Sequence, residues 1–275
     1  MGGGKWARGA QAFFAQSRHL FYMSAFMPIA FAGGMLFGSF AGVVAYRVPR
    51  GESFVGGRSH CDACGAQIAA YDNVPVLSWL MLRGRCRSCG EHISARYPLA
   101  ELAMAALFAA TVAVLGTDDL AELALGLIFC ATLVTISLAD LDRRVIPNSI
   151  LLAAAVAAVA ILLATDPSAL PERLMAAAGA GGFLLVCALA YPGGMGMGDV
   201  KLAAVMGLYL GAAVVPAMLA AVLAGSIVGL AMIARHGAGE RKRAIPFGPF
   251  LALGGVVGLL AGDEINSWYL DNFMG

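Results

Sequence analysis

Charge is scarce in this sequence. Its 275 residues carry 18 Lys+Arg and 17 Asp+Glu, so 13% are charged, about half the ~25% usual for a soluble domain. That shortage excludes an ordinary soluble fold, and a 60% hydrophobic content excludes disorder and collagen-like structure. A formal net charge of +1 leaves no concentrated basic surface for nucleic acid. Cysteine is equally sparse. Four of the six crowd into one polar stretch, while Cys130 and Cys187 stand alone in apolar runs and read as small buried hydrophobes. With a mean hydropathy of +0.80, the composition predicts an all-α, polytopic membrane protein.

A bilayer crossing takes roughly 17–25 apolar residues. Eight such helices are expected, at about 21–46, 98–116, 120–139, 148–165, 174–191, 200–215, 216–234 and 247–262, with Pro216 as the break between the sixth and seventh. Their abundant Ala and Gly suit close helix packing. The first is too long for a signal-peptide core, so no cleavage is expected there. Loops 47–97, 140–147, 192–201 and 235–246 hold fourteen of the 18 Lys and Arg, which places them on the cytoplasmic side. The organisation that follows has five parts. A tail at 1–20 has the weak amphipathicity of an interfacial helix, with Trp6, Phe13 and Phe14. A first transmembrane helix at 21–46, a cytoplasmic loop domain at 47–97, a seven-helix core at 98–262 and a tail at 263–275 come after it.

The loop domain reads Cys61-x2-Cys64, a gap of 21 residues, then Cys86-x2-Cys89, with a glycine after each pair. Two thiolates from one tight turn make a zinc knuckle, and two knuckles complete the tetrahedral sulfur shell of a closed, structural Zn2+ site. Two disulfides are the competing reading. A reducing cytoplasm and the cramped geometry of a bridge within Cys-x2-Cys both oppose it. His60 and His92 lie beside the knuckles and are unneeded once four thiolates bind. The ion would fold a loop of about 50 residues that has too little core of its own.

A carboxylate inside or at the end of a membrane helix is costly, and each is a functional hypothesis by default. Asp140 and Asp142 close the third stretch, and Asp199 opens the sixth after Gly194, Gly196 and Gly198. Both places fall on the same side. Two carboxylates brought together in a partly dry site divide into a protonated acid and an ionised base, the arrangement by which aspartic proteases add water to a peptide bond without a metal. Gly196 and Gly198 suit a sharp backbone turn and the close approach of a substrate strand. Spacing alone does not decide between Asp140 and Asp142. The plain structural alternative is a helix cap for Asp199 and an interfacial ion pair of Asp140 with Arg143 or Arg144. A reading of another class, a cation or proton transporter using the same carboxylates, would need midplane sites and inverted repeats, and the sequence offers neither.

Taken in order, these segments resemble the bacterial type IV prepilin peptidases, the leader peptidase/N-methyltransferase family of GxGD-type intramembrane aspartyl proteases. Gly38-Ser39-Phe40, Val43-Val44 and Arg47-Val48-Pro49 look like the family's G-S-F-x-N-V-V-x-x-R-x-P segment, with Gly42 where the family has asparagine. The two Cys-x2-Cys pairs match its zinc loop, and Ile93 through Pro98 with Glu101 match I-S-x-R-Y-P-x-x-E. Asp140 through Pro147 and Gly196 through Lys201 match its two catalytic segments, and Pro246 through Leu251 matches its last.

The resemblance selects Asp140, seven residues before Pro147, and Asp199 as the catalytic pair. It implies removal of a short basic leader from type IV prepilin or pseudopilin precursors, after a glycine, at the cytoplasmic face of the bacterial inner membrane. It also implies N-methylation of the new terminus by S-adenosylmethionine; Gly42, which lacks the family's amide, keeps a peptidase without that second activity as the alternative. Gly196, Gly198, Lys201, Arg47, Arg96 and Glu101 are the candidates for positioning substrate or loop. Of these, Arg47, Arg96 and Glu101 are expected to pair where the loop meets the membrane. The basic residues at 241–243 suit anionic lipid, and Asp62, Glu91 or Glu101 suit a basic leader.

Overall fold

The structure, a computed structural model, describes residues 26–191, 194–236 and 246–274. The expected tail helix at 1–20 and the basic residues Arg241, Lys242 and Arg243 lie outside the described residues. Among the described residues every regular element is helical. Helix α1 (Phe26–Arg50) closes in a tight turn at Val48–Arg50, where Pro49 removes an N–H donor. Helix α2 (Leu77–Met81) lies in the loop domain, followed by α3 (Arg96–Leu115) and α4 (Leu120–Arg143). Asp119 caps α4, its Oδ1 accepting from the Ala121 and Glu122 N–H groups at 2.9 and 3.0 Å. Then come α5 (Asn148–Thr165), α6 (Leu170–Ala190), α7 (Met197–Leu210), α8 (Val214–His236) and α9 (Gly248–Phe273).

Seven helical stretches are long and apolar enough to cross a membrane, and one of them, Met197–Arg235, is 39 residues long. It contains both α7 and α8, so the expectation of eight helices holds, but the break is not at Pro216. It falls at Gly211, whose φ of 56° ends α7. That left-handed conformation suits glycine, whereas Pro216 sits in the first turn of α8, where its missing N–H would have had no intrahelical partner. Helix α7 is consequently short. Its 14 residues span about 21 Å, less than the ~30 Å of a hydrocarbon core. The guanidinium of Arg173, from the start of α6, donates to the Tyr209 carbonyl near the end of α7. Helix α9 runs on to Phe273, beyond the apolar stretch that ends near 262.

Helix α4 packs against α3, α5, α7 and α9, while α6 pairs with α7 and α8 with α9. Phe129, Leu133 and Ile136 of α4 meet Leu202 and Met206 of α7 and Leu251 of α9 in the buried core. Tyr209 stacks on Phe129 with ring centroids 5.0 Å apart and donates its hydroxyl to the Ala154 carbonyl at 2.7 Å. Small residues bring α1 onto α3. A Cβ on Gly34 would lie 2.6 Å from the Ala105 Cα, and one on Gly38 would lie 2.7 Å from the Glu101 Cα. This is small-x3-small packing, and Gly42 continues the row opposite the Tyr97 ring. Cys130 is buried beside Thr111, as expected of it. Cys187 is only half-buried, because α6 turns Phe183, Val186 and Leu189 outward around it.

Candidate functional site

The loop between α1 and α3 folds as two matching turns. The Cys61 N–H donates to the Ala66 carbonyl at 2.9 Å, and the Gly65 N–H to the Cys61 carbonyl at 2.8 Å. The same bonds recur from Cys86 to Glu91 at 2.8 Å and from Gly90 to Cys86 at 2.9 Å. Each turn reverses on a glycine in the left-handed region, Gly65 at φ 68° and Gly90 at φ 76°. The four Sγ atoms of Cys61, Cys64, Cys86 and Cys89 lie within 4.8 Å of one another, with Cys61 and Cys89 3.8 Å apart. A tetrahedral sulfur site with Zn–S bonds of ~2.3 Å has S···S edges of ~3.8 Å, whereas a disulfide requires ~2.05 Å. All four cysteines are free, and neither His60 nor His92 belongs to the cluster. The donor set therefore fits a tetrahedral metal ion.

Electrostatics point the same way. N–H groups of Cys89 and Ser88 lower the Cys86 thiol to about 7. The Cys89 thiol, although the Glu91 N–H lowers it, is pushed up to about 12 by burial and by the sulfurs of Cys64, Cys86 and Cys61. Four thiolates at this separation repel one another and need a cation between them. Two further contacts brace the loop. Trp79 Nε1 donates to the Ile93 carbonyl at 2.9 Å, and the Arg87 guanidinium grips both oxygens of Asp72 at 2.6 and 2.7 Å. That guanidinium holds the Asp72 carboxyl below its ordinary range.

The two expected carboxylates converge at one end of the bundle. Asp140 lies in the last turn of α4 and is buried, its Oδ2 accepting from the Gly248 N–H at the start of α9, 2.9 Å away. Asp199 is the third residue of α7 and is also buried. Its Oδ2 accepts the Gly196 N–H at 3.1 Å, while its own N–H donates to the Gly196 carbonyl at 3.1 Å. This is the reciprocal pattern of a capping box, with a backbone carbonyl replacing the usual hydroxyl. Gly198 carries α7 onto the loop that follows Asp140, where a Cβ would lie 2.8 Å from the Ile146 Cβ.

Asp142 is separated from this pair. Its Oδ2 meets Arg50 at 3.1 Å, with 43% of its side chain exposed. Arg50 in turn lies over the Tyr46 ring, 3.6 Å from its centroid, so the pair ties the end of α1 to the end of α4. Lys201 donates to Asn148 Oδ1 at 2.9 Å and thereby joins α7 to the start of α5.

Arg47, Arg96 and Glu101 do not pair with one another. Arg47 donates instead to the carbonyls of Ser53 at 3.2 Å and Gly56 at 2.6 Å, fastening the loop's first stretch. Glu101 accepts from the Val76 N–H at 2.6 Å. Arg96 is exposed. Opposite charges suggested a cluster, but backbone groups of a loop with little regular structure claim these side chains first. Gly248, Asn148 and the Arg50–Asp142 pair were not foreseen as site residues. Gly248 lies in the Pro246–Leu251 segment and Asp142 among the carboxylates that close the third apolar stretch, whereas nothing local marks Asn148 or Arg50.

Two family descriptions match the chain. Residues 33–115 match "Bacterial Peptidase A24 N-terminal domain", and residues 127–233 match "Type IV leader peptidase family". Among curated relatives, the "Prepilin leader peptidase/N-methyltransferase" of Bacillus subtilis (strain 168) is 34% identical over 250 residues, covering 90% of this chain and 100% of the relative. The protein of the same name from Aeromonas hydrophila is 35% identical over 225 residues, 79% of this chain and 76% of the relative. That of Myxococcus xanthus (strain DK1622) is 37% identical over 226 residues, 78% of this chain and 66% of the relative. No solved structure gives a significant match.

Proposed function

The chain belongs to the type IV leader peptidase family, and on that premise we propose that it removes the leader peptide of type IV prepilin-like precursors through Asp140 and Asp199. It is a prepilin peptidase with N-methyltransferase activity, as its relatives are named. The observation that carries the catalytic assignment is the convergence of two buried carboxylates, each held by a glycine N–H, at one end of the bundle.

Each of those N–H groups occupies one carboxylate oxygen and leaves the other for water and substrate. One carboxylate takes a proton from the water as its oxygen bonds to the scissile carbonyl carbon. The other, protonated, donates to the carbonyl oxygen. Collapse of the gem-diol breaks the C–N bond: one of its hydroxyl protons returns to the carboxylate that had donated, and the amine leaves with the proton first removed from water. The pair titrates as a unit, so acid and base are roles of the dyad. Both residues lie at helix ends, which favours hydrolysis at an interface over transport through a midplane site.

The metal-binding domain and the loop after Asp140 sit at the same end as the dyad, and the charge asymmetry of the sequence favours the cytoplasm for that end. Zinc is the ion best matched by the four thiolates, and its role is to fold the loop. Methyl transfer consumes S-adenosylmethionine. Among the described residues there is no strand-to-helix glycine turn of the kind that cradles a nucleotide.

The test is cleavage of a pilin-like precursor by the purified full-length protein in detergent, followed by mass spectrometry. Asp140→Asn and Asp199→Asn should each lower kcat by about 10³-fold or more, as expected when one of two proton-transferring groups is lost. Both should retain one metal ion per chain. Normal cleavage by either variant would remove that aspartate from the mechanism. Added mass of one methyl group on the mature product tests the second activity.

A further inference from the structure

We propose that the apolar face of α2 lies in the bilayer interface against lipid acyl chains and seats the metal-binding loop on the membrane. Leu77, Leu80 and Met81 are 58%, 57% and 81% exposed, and their spacing puts them on one side of the helix. Val74, just before, is exposed as well. The opposite side carries the polar contact: Ser78 is buried, donating to the Tyr71 carbonyl at 2.9 Å and accepting from the Val74 N–H at 3.0 Å. A loop domain facing water would place these two sides the other way round.

The position of α2 is set by α3. The Val76 N–H donates to Glu101 Oε2 at 2.6 Å, and Glu101 lies five residues into α3, about 7.5 Å along its axis. That sets α2 beside the first turns of an apolar helix long enough to cross a membrane, the level at which interfacial helices lie. The exposed Leu99 and Leu102 of α3 flank Glu101, so the apolar surface of α2 continues that of a membrane-spanning helix. Exposed Arg83 follows α2 directly, where a cation meets lipid phosphate.

Orientation is enforced as well as depth. Val76 holds φ 59° and ψ −51° in a turn closed by the Leu77 N–H on the Pro75 carbonyl at 2.6 Å. For a β-branched residue this conformation is rare and strained. The Glu101 bond holds it and so fixes the angle at which α2 leaves the turn.

The inference requires that the chain span the membrane and is independent of the cleavage chemistry. An environment-sensitive fluorescent amino acid is placed at Met81, and separately at Leu80, in the full-length protein. Each protein is reconstituted in phosphatidylcholine/phosphatidylglycerol vesicles, with metal content and precursor cleavage measured alongside. The expected result is blue-shifted emission, quenched about two-fold or more by lipids with a nitroxide at acyl carbon 5 and shielded from aqueous iodide. Quenching by iodide and not by nitroxide lipid, at both sites, overturns the proposal. Shielding that appears only when a precursor peptide is added also overturns it, and identifies the face as a precursor-docking surface. Loss of cleavage with lipid quenching intact bears on the catalytic assignment alone.

Discussion

Gly248 shows how much a residue without a side chain can decide. Its N–H holds Asp140, and a Cβ at this position would lie 2.7 Å from the same carboxylate oxygen. Gly248→Ala should therefore push the carboxylate aside and lower kcat by about 10²-fold, the cost of displacing a reacting group by about an ångström. Gly33→Ala, which meets nothing within 4 Å, is the control, and steady-state cleavage assays compare the two. Asp142→Asn should behave differently from Asp140→Asn. It removes a partly exposed, solvent-screened ion pair with Arg50, worth under ~1 kcal/mol, and should leave kcat within about three-fold of normal.

These residues also mark what was legible beforehand. The two carboxylates stand out because charge is rare in apolar runs, and four cysteines in two pairs advertise a metal shell. Asp140 and Asp142 share the last turn of one helix, so spacing could not separate them; only their partners, Gly248 and Arg50, do. The Gly248 contact spans 108 positions and uses a backbone donor that every non-proline residue owns. The pairing expected among Arg47, Arg96 and Glu101 failed for a related reason. Arg47 and Glu101 bind main-chain groups instead, which leave no mark in the sequence.

At the scale of elements, the apolar helices were legible because lipid-facing and buried surfaces are both apolar. For the same reason hydropathy does not report which face packs or where a long apolar run turns. Proline is the louder signal at 211–216, and the turn is made by glycine. Gly211→Ala should destabilise the folded protein by about 1 kcal/mol, because alanine resists a φ of 56°. Pro216→Ala should change stability by less, since the first helical turn tolerates either residue. Thermal unfolding in a single detergent distinguishes them. The α1–α3 contact was legible only as composition, and the close approach at Gly34 and Gly38 required knowing which helices are neighbours.

For the whole molecule, the loop domain and the helical bundle owe their stability to different sources. The bundle has a continuous core running from α4 through α7 to α9, while the loop has two matched turns around four sulfurs. Removing the metal with a chelator should open the loop and leave the bundle folded. Limited proteolysis should then cut within 51–95 and spare a fragment from α3 onward. Metal release should quicken as pH falls, because protons compete for the same thiolates, and an indicator dye follows it directly.

The Asp140–Gly248 hydrogen bond also imposes an order in time. A ribosome completes α4 and α7 before it reaches α9, so a nascent chain acquires both acids while the donor that steadies Asp140 is still unmade. Neither family-matched segment extends to that donor; the second ends at residue 233. On the proposed mechanism, competence to cut a peptide bond thus arrives only once α9 has joined the bundle, and a chain arrested before it holds both acids without the ability to use them.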